Sequence, residues 1–255
     1  METRFHDHRN YQPTSQGRWP QRATVLSAQP HKPEGGDFGL FPLTGPNTGS
    51  RLKATIVAIH GVSGHYMRTW THTQSVPPFM WIKDGLGEDL SDCRILSYGY
   101  DASVSARWSS PQRSLFDHAT NLHNLLQDYL QKEGAFHPVI FIAHNVGGIL
   151  VKLVLVQSAL KAPSIVHKST AAILFFGTPH RDYSSASMAR RLVSSVDGTP
   201  SLAGWEPSSS MSMLFKDSRT LRLIDESWMH LHHSYQIYSF YETRASSLGM
   251  SSSLV

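Results

Sequence analysis

A chain of 255 residues with 40% apolar and 16% charged side chains can build one sizeable α/β domain with a tail, or at most two small domains around real cores. Lys+Arg 23 against Asp+Glu 19 leaves a net charge of only +4, and the basic residues are scattered; Arg190-Arg191 is the tightest pair in the second half, which argues against a nucleic-acid footprint. A single cysteine, Cys93, excludes an intramolecular disulfide framework and fits a reducing compartment.

The start, Met1-Glu2-Thr3-Arg4-Phe5-His6-Asp7-His8, lacks the apolar core of a secretory signal. Residues 1–50 are rich in Pro, Gly, His, Gln and Ser, show neither helical nor strand periodicity, and read as a disordered or loosely attached tail. The folded domain is therefore placed at 51–255. Its first strand is Ala54-Thr55-Ile56-Val57-Ala58-Ile59, apolar without alternation, as a strand buried on both faces should be. His60-Gly61-Val62-Ser63-Gly64-His65 follows. A His-Gly turn lets backbone approach an oxyanion closely, with the Val62 N–H as one donor.

A second strand is expected over Arg94–Tyr98, with Cys93 before it as a buried structural thiol. Ser114 with Asp117 makes a capping-box pattern, and Leu115, Ala119, Leu122, Leu126, Tyr129 and Leu130 then line one face of a helix. The third strand, Val139–Ala143, runs into Ala143-His144-Asn145-Val146-Gly147-Gly148. That frame matches a nucleophile elbow, small-x-Ser-x-Gly, in which a strand turns sharply into a helix. Its reactive position carries Asn145, and a carboxamide has no hydroxyl or thiol with which to start acyl transfer. Asn tolerates the positive φ that such an elbow imposes, so the turn survives without its nucleophile. The Val146 N–H, at the start of the following helix, is the second candidate oxyanion donor, and His144 belongs to the turn itself.

An almost wholly apolar helix is expected from Gly148 to Leu160. Its Ile149–Leu160 run is too short for a membrane span and contains Lys152, so no transmembrane segment is expected. A fourth strand, Ala171–Phe176, leads into Gly177-Thr178-Pro179-His180-Arg181. The stretch Asp182–Met213, rich in Ser, Gly and Pro, reads as a lid or equally as a plain long loop. A helix over Ser218–His230, with Leu221, Ile224 and Trp228 inward, precedes a fifth strand, Tyr235–Tyr241, and then Glu242, an acid placed where it could orient a histidine. His230, His232 and His233 lack a Cys or carboxylate set at ligand spacing, so neither a metal nor a cofactor is expected. Strand and helix alternate, which predicts right-handed crossovers and a mostly parallel sheet with helices on both faces, its site at the carboxyl ends of the strands.

Taken in order, these pieces resemble the lipase-like serine esterase branch of the α/β-hydrolase superfamily. That branch includes fungal domains found ahead of NACHT or NB-ARC modules and the serine-active-site protein linked to phosphatidylglycerol remodelling. The resemblance covers about residues 54–255. It rests on His60-Gly61 with Thr69-Trp70, Tyr98-Gly99-Tyr100-Asp101, the 143–148 turn, Gly177-Thr178-Pro179-His180-Arg181 and Ser239-Phe240-Tyr241-Glu242-Thr243. It implies Ser at position 145, an acid near Glu242 and a catalytic His after one further strand, and it gives the turn around His180 a scaffolding role. Thr243 to Val255 contains no histidine. The expectation is therefore an α/β-hydrolase domain lacking its C-terminal strand and helix, with two of three triad positions empty.

The function expected from this is a serine esterase or lipase-like domain acting on, or descended from enzymes acting on, ester or lipid acyl bonds. It is expected to be catalytically impaired, a pseudoenzyme whose binding residues are His60, Gly61, His144, Gly147 and His180. The alternatives are a non-catalytic module that holds a lipid, an acyl group or a protein partner, and a truncated gene product without function. Asn145 itself reads either as drift or sequence error, or as selection for a binding pocket. An open edge at Tyr235–Tyr241 is expected to be completed by a protein partner or to leave the chain prone to aggregation. An intracellular, cytoplasmic protein is expected, with peripheral association to mitochondrial or endoplasmic reticulum membrane implied by the resemblance alone.

Overall fold

The computed structural model describes residues 36–46, 51–103, 113–133, 136–160, 164–180 and 218–241. Among these residues six strands form one sheet in the order β1-β5-β2-β6-β7-β8: β1 (Gly39–Thr44), β2 (Ala54–Ile59), β5 (Cys93–Gly99), β6 (Val139–His144), β7 (Thr170–Phe176) and β8 (Gln236–Phe240). A separate short hairpin pairs β3 (Thr71–His72) with β4 (Phe79–Met80). β2, β5, β6, β7 and β8 are mutually parallel, and β1 alone runs antiparallel, against β5.

β2 is buried at every position. Side chains alternate between the two faces of a strand, so a continuous apolar run means that both faces are covered. Val57 and Ile59 join the core under α2 (Leu115–Glu133), α3 (Val146–Leu160) and α5 (Ser218–Leu231), where they meet Leu122, Leu126, Ile149, Leu153, Ile224 and Trp228. Ile56 and Ala58 face the opposite way, onto Trp70, Met80 and Ile82. Those three come from the 60–92 connection, which also holds the π-helical turn Trp81–Gly85 and α1 (Leu86–Asp89). Cys93 is buried in this second core as a free thiol, as the sequence indicates.

α2 starts where its cap predicts. The Asp117 N–H donates to Ser114 Oγ (3.2 Å), and the Ser114 N–H donates back to Asp117 Oδ2 (2.8 Å). α3 is buried along nearly its whole length, which explains why its sequence is apolar on every side. It begins two residues earlier than the sequence suggests, with Gly148 N–H already donating to the Asn145 carbonyl at 3.1 Å. A short α4 (Ile165–Ser169) leads into β7.

One boundary needs correction. Gly39–Thr44, which the sequence reading leaves in a tail over residues 1–50, pairs with β5 from Gly39↔Gly99 to Thr44↔Ile95. Its residues are half-buried without alternation, and Pro42 lies within it. Edge strands tolerate proline and need no apolar period, because only one side must supply hydrogen bonds. The expected lid at 182–213, residues 1–35 and 47–50 of the expected tail, the side chain of Leu221, and everything from Glu242 onward lie outside the described residues.

Candidate functional site

Three turns meet at the carboxyl ends of β2, β6 and β7. The first is set by His60, which is buried to 1% exposure. Its Nδ1–H donates to the Gly61 carbonyl (3.0 Å), and Nε2 accepts the Tyr100 N–H (3.4 Å). A carbonyl can only accept and an N–H can only donate, so these two contacts fix the neutral tautomer. Tyr100 also donates its hydroxyl to the His60 carbonyl (3.0 Å) and stacks on the imidazole with ring centroids 4.5 Å apart. Burial pushes the His60 pKa down to about 4. His60 is therefore a neutral post that shapes the turn.

Beyond it, the Gly64 N–H closes onto the Gly61 carbonyl (3.0 Å), and Ser63, at φ 51°, donates its N–H to the Ala102 carbonyl (2.8 Å). No hydrogen bond engages the Val62 N–H among the described residues.

The second turn joins β6 to α3. Asn145 has φ 51°, the left-handed region that Asn enters more readily than other residues with a Cβ. Its N–H donates to the Phe176 carbonyl (2.8 Å), and its own carbonyl accepts from Thr178 Oγ1 (3.1 Å) as well as from Gly148. Its side-chain Oδ1 accepts the Val146 N–H at 2.7 Å. That amide, expected as an oxyanion donor, already holds the residue before it.

Two glycines let α3 begin flush against its neighbours. A Cβ on Gly147 would lie 2.5 Å from the His60 carbonyl oxygen and 2.6 Å from that of Ile59, and one on Gly148 would collide with Thr178. Gly61 approaches from the other side, where a Cβ would lie 2.6 Å from Asn145 Cβ and 2.9 Å from the His144 carbonyl. Half-buried His144 places its Nδ1 against that same spot.

The third turn follows β7. Gly177, at φ 57°, donates its N–H to the Phe240 carbonyl (2.8 Å), which ties the turn to β8. His180 lies edge-on to Phe175, with centroids 4.8 Å apart, and its Nε2 stands 3.4 Å from Ser239 Oγ. Gly61, Asn145, Val146, Gly147, Gly148 and Thr178 thus meet in one corner, and Val62 follows Gly61 in the chain. His180 faces β8, and Glu242 lies outside the described residues. Among the described residues no three His, Cys, Asp or Glu side chains are grouped so as to hold a metal ion.

Sequence reading gave no role to the Thr178 hydroxyl, although its Gly-Thr-Pro turn was visible. It also gave none to Tyr100 as the clamp on His60. The Phe176 carbonyl that receives Asn145 could not have been found, because backbone acceptors leave no trace in a sequence.

No family model matches this chain. It is 28% identical to human Protein SERAC1 over 221 residues, 79% of this chain and 32% of that protein. With the Danio rerio Protein SERAC1 it shares 29% identity over 225 residues, again 79% of this chain and 32% of the relative. The chain thus spans about a third of the length of the curated relatives it matches. Among solved structures, the mature Bacillus licheniformis lipase BlEst2 superposes with a TM-score of 0.52 at 13% identity, over 79% of this chain and 70% of the lipase chain. The fold is the α/β-hydrolase fold.

Proposed function

We propose that this chain is a hydrolase-derived domain of the serine esterase or lipase class that retains an acyl-binding corner and has lost efficient catalysis. One observation carries the reading: Asn145 stands at the strand-to-helix turn with φ 51° and closes the Val146 N–H with its own Oδ1 at 2.7 Å. An attacking side chain must give up a proton and form a bond to the acyl carbon. A carboxamide offers neither an ionisable hydroxyl nor a thiol. Its oxygen also takes the donor that would stabilise charge developing on the acyl oxygen.

What the corner supports is binding. A carboxylate or ester carbonyl that displaces Asn145 Oδ1 gains the Val146 N–H at the amino end of the 15-residue helix α3, with the Val62 N–H as a second donor. The ligand class is a fatty acyl group, as acid or ester. Slow turnover through the two amides alone is compatible with this reading, whereas efficient turnover is not.

The test pairs labelling with binding. The purified chain is treated with a fluorophosphonate probe and titrated with a fluorescent fatty acid. The expected result is saturable fatty-acid binding, competed by an unlabelled fatty acid, with no serine labelled. Labelling of a serine at this corner, Ser63 included, or no fatty-acid binding at all, overturns the proposal.

A second reading is favoured by β8, the last strand of the sheet among the described residues, whose Tyr238 and Phe240 are exposed. On that reading a protein partner adds a strand there by backbone pairing. Backbone amides of 236–240 protected from hydrogen exchange only when the partner is present would support it. Unchanged exchange would remove it.

A further inference from the structure

We infer that the β3–β4 hairpin is a contact surface for an anionic lipid bilayer, an inference that goes beyond the acyl-corner reading and does not depend on it. The hairpin belongs to the connection that leaves the carboxyl end of β2, the end that carries the candidate corner. Its loop presents Val76 at 99% exposure, followed by exposed Pro77 and Pro78, then Phe79 at 42% and Trp81 at 38%. The base is fixed and buried. Trp70, Met80 and Ile82 lie in the second core, and Trp81 packs edge-on to Trp70 with centroids 5.9 Å apart. The exposed apolar side chains are thus held outward on a rigid stem.

Three properties select a bilayer interface as the occupant. First, charge is complementary. Residues 61–83 contain Arg68 and Lys83 and no Asp or Glu. The next acid, Asp84, spends Oδ2 on the Met80 N–H (2.8 Å), and Asp37 reaches this connection at its start, on His65 (3.5 Å). The exposed acids Glu88 and Asp89 follow on α1, where the chain returns toward Cys93 and the amino ends of the strands. Arg68 and Lys83, beside the exposed apolar side chains, outweigh the one carboxylate bonded to β4, Asp84, which suits the negative potential of an anionic lipid surface.

Second, the backbone is cheap to desolvate at the tip. Pro77 and Pro78 have no N–H, so two donors that would otherwise need partners in an apolar layer do not exist. Third, tryptophan beside smaller apolar residues suits the boundary between headgroups and acyl chains, where its ring is apolar and its N–H reaches polar groups. No helix among the described residues is long and apolar enough to cross a membrane, so the contact is interfacial insertion of the hairpin tip.

The experiment is flotation or sedimentation of the full chain with vesicles of phosphatidylcholine and phosphatidylserine in equal parts, against vesicles of phosphatidylcholine alone. Binding is expected to the mixed vesicles and to weaken as salt is raised. Val76→Asp is expected to lower the partition coefficient roughly tenfold, through one lost buried valine and one added like charge. Leu160→Asp, at an 82% exposed position on the end of α3, is expected to leave it unchanged.

Val76 touches nothing that the fold needs, so a folding defect does not confuse the result; far-ultraviolet dichroism confirms this. No binding by the unaltered chain, or equal losses in both variants, overturns the inference. Soluble fatty-acid binding by the Val76→Asp chain separates the two ideas. If the acyl corner fails to bind while vesicles still discriminate Val76→Asp from Leu160→Asp, the corner reading falls and this one stands.

Discussion

The side-chain oxygen of Asn145 lies 2.7 Å from the backbone nitrogen of Val146, so the first amide of helix α3 is closed by the residue that precedes the helix. The geometry resembles an N-cap in its effect: an otherwise orphaned helical donor is satisfied by a short polar side chain. It also places a carboxamide oxygen where a ligand carbonyl would bind. The same contact therefore stabilises the turn and competes with an acyl ligand.

Removing that competitor is expected to strengthen binding. In Asn145→Gly the backbone keeps its positive φ without strain and the Val146 N–H is exposed to the ligand. Fatty-acid affinity, measured by fluorescence titration, should rise by about fivefold, the worth of one hydrogen bond no longer displaced. An unchanged or weaker affinity means that the ligand does not reach this amide.

The strain at φ 51° separates two otherwise similar truncations of Asn145. Asn145→Ala keeps a Cβ in the left-handed region and should be less stable than Asn145→Gly by about 1 kcal/mol, read from urea midpoints. Equal midpoints would show that the turn relaxes out of that conformation.

Gly147 is expected to tolerate no side chain. Its Cβ would meet two backbone oxygens, of His60 at 2.5 Å and Ile59 at 2.6 Å, and backbone at the end of a buried central strand cannot move aside as a flexible side chain can. Gly147→Ala should cost about 3 kcal/mol, the upper end for overpacking, and should abolish fatty-acid binding by separating α3 from β2. Near-native stability in a denaturant titration would contradict the packing described.

Stability should fall in mild acid. Burial pushes both His60 and His118 down to about 4, against 6.5 for the free side chain. Between those values the unfolded chain binds protons that the folded chain excludes, so stability rises with pH there. It is complete above about pH 6.5, declines as pH drops, and levels off below about pH 4. His60 alone contributes about 3 kcal/mol to that slope. The check is the urea midpoint followed from about pH 7 to about pH 4.5, and a flat profile excludes neutral buried histidines as its source.

Lys152 and Asp225 join α3 to α5. Lys152 is 2% exposed, its Nζ stands 3.4 Å from Asp225 Oδ1, and it lies 5.9 Å from the centre of the Trp228 ring. Burial lowers the lysine pKa, and the nearby carboxylate opposes that shift. Asp225→Asn should cost about 2 kcal/mol, because it takes a negative charge away from beside a buried ammonium. Lys152→Met removes the charge together with its need for a partner and should change stability by less than about 1 kcal/mol. Thermal unfolding of both variants decides this. The reverse order would mean that the pair itself supplies the stability.

The sequence by itself determined the five parallel strands, the capped helix α2, the buried helix α3 and the strand-to-helix turn at Asn145. Each of these is a local signal. An apolar run, a Ser-x-x-Asp cap or a glycine pair acts within a few residues, and its period or steric freedom is written along the chain. The expected positive φ of Asn145 falls in this class, since it follows from the turn and from the residue type.

Tertiary structure alone decided what those pieces do to one another. β1 exists because β5 offers it a free edge, not because Gly39–Thr44 carries a strand pattern. His60 is neutral because Tyr100, arriving on β5's far end, buries and hydrogen-bonds it. The Thr178 hydroxyl on the Asn145 carbonyl and the outward hold on Val76 depend on groups brought together from distant parts of the chain. Hydrogen bonds form over about 3 Å and desolvation depends on every neighbour at once, so neither can be read from spacing along a sequence.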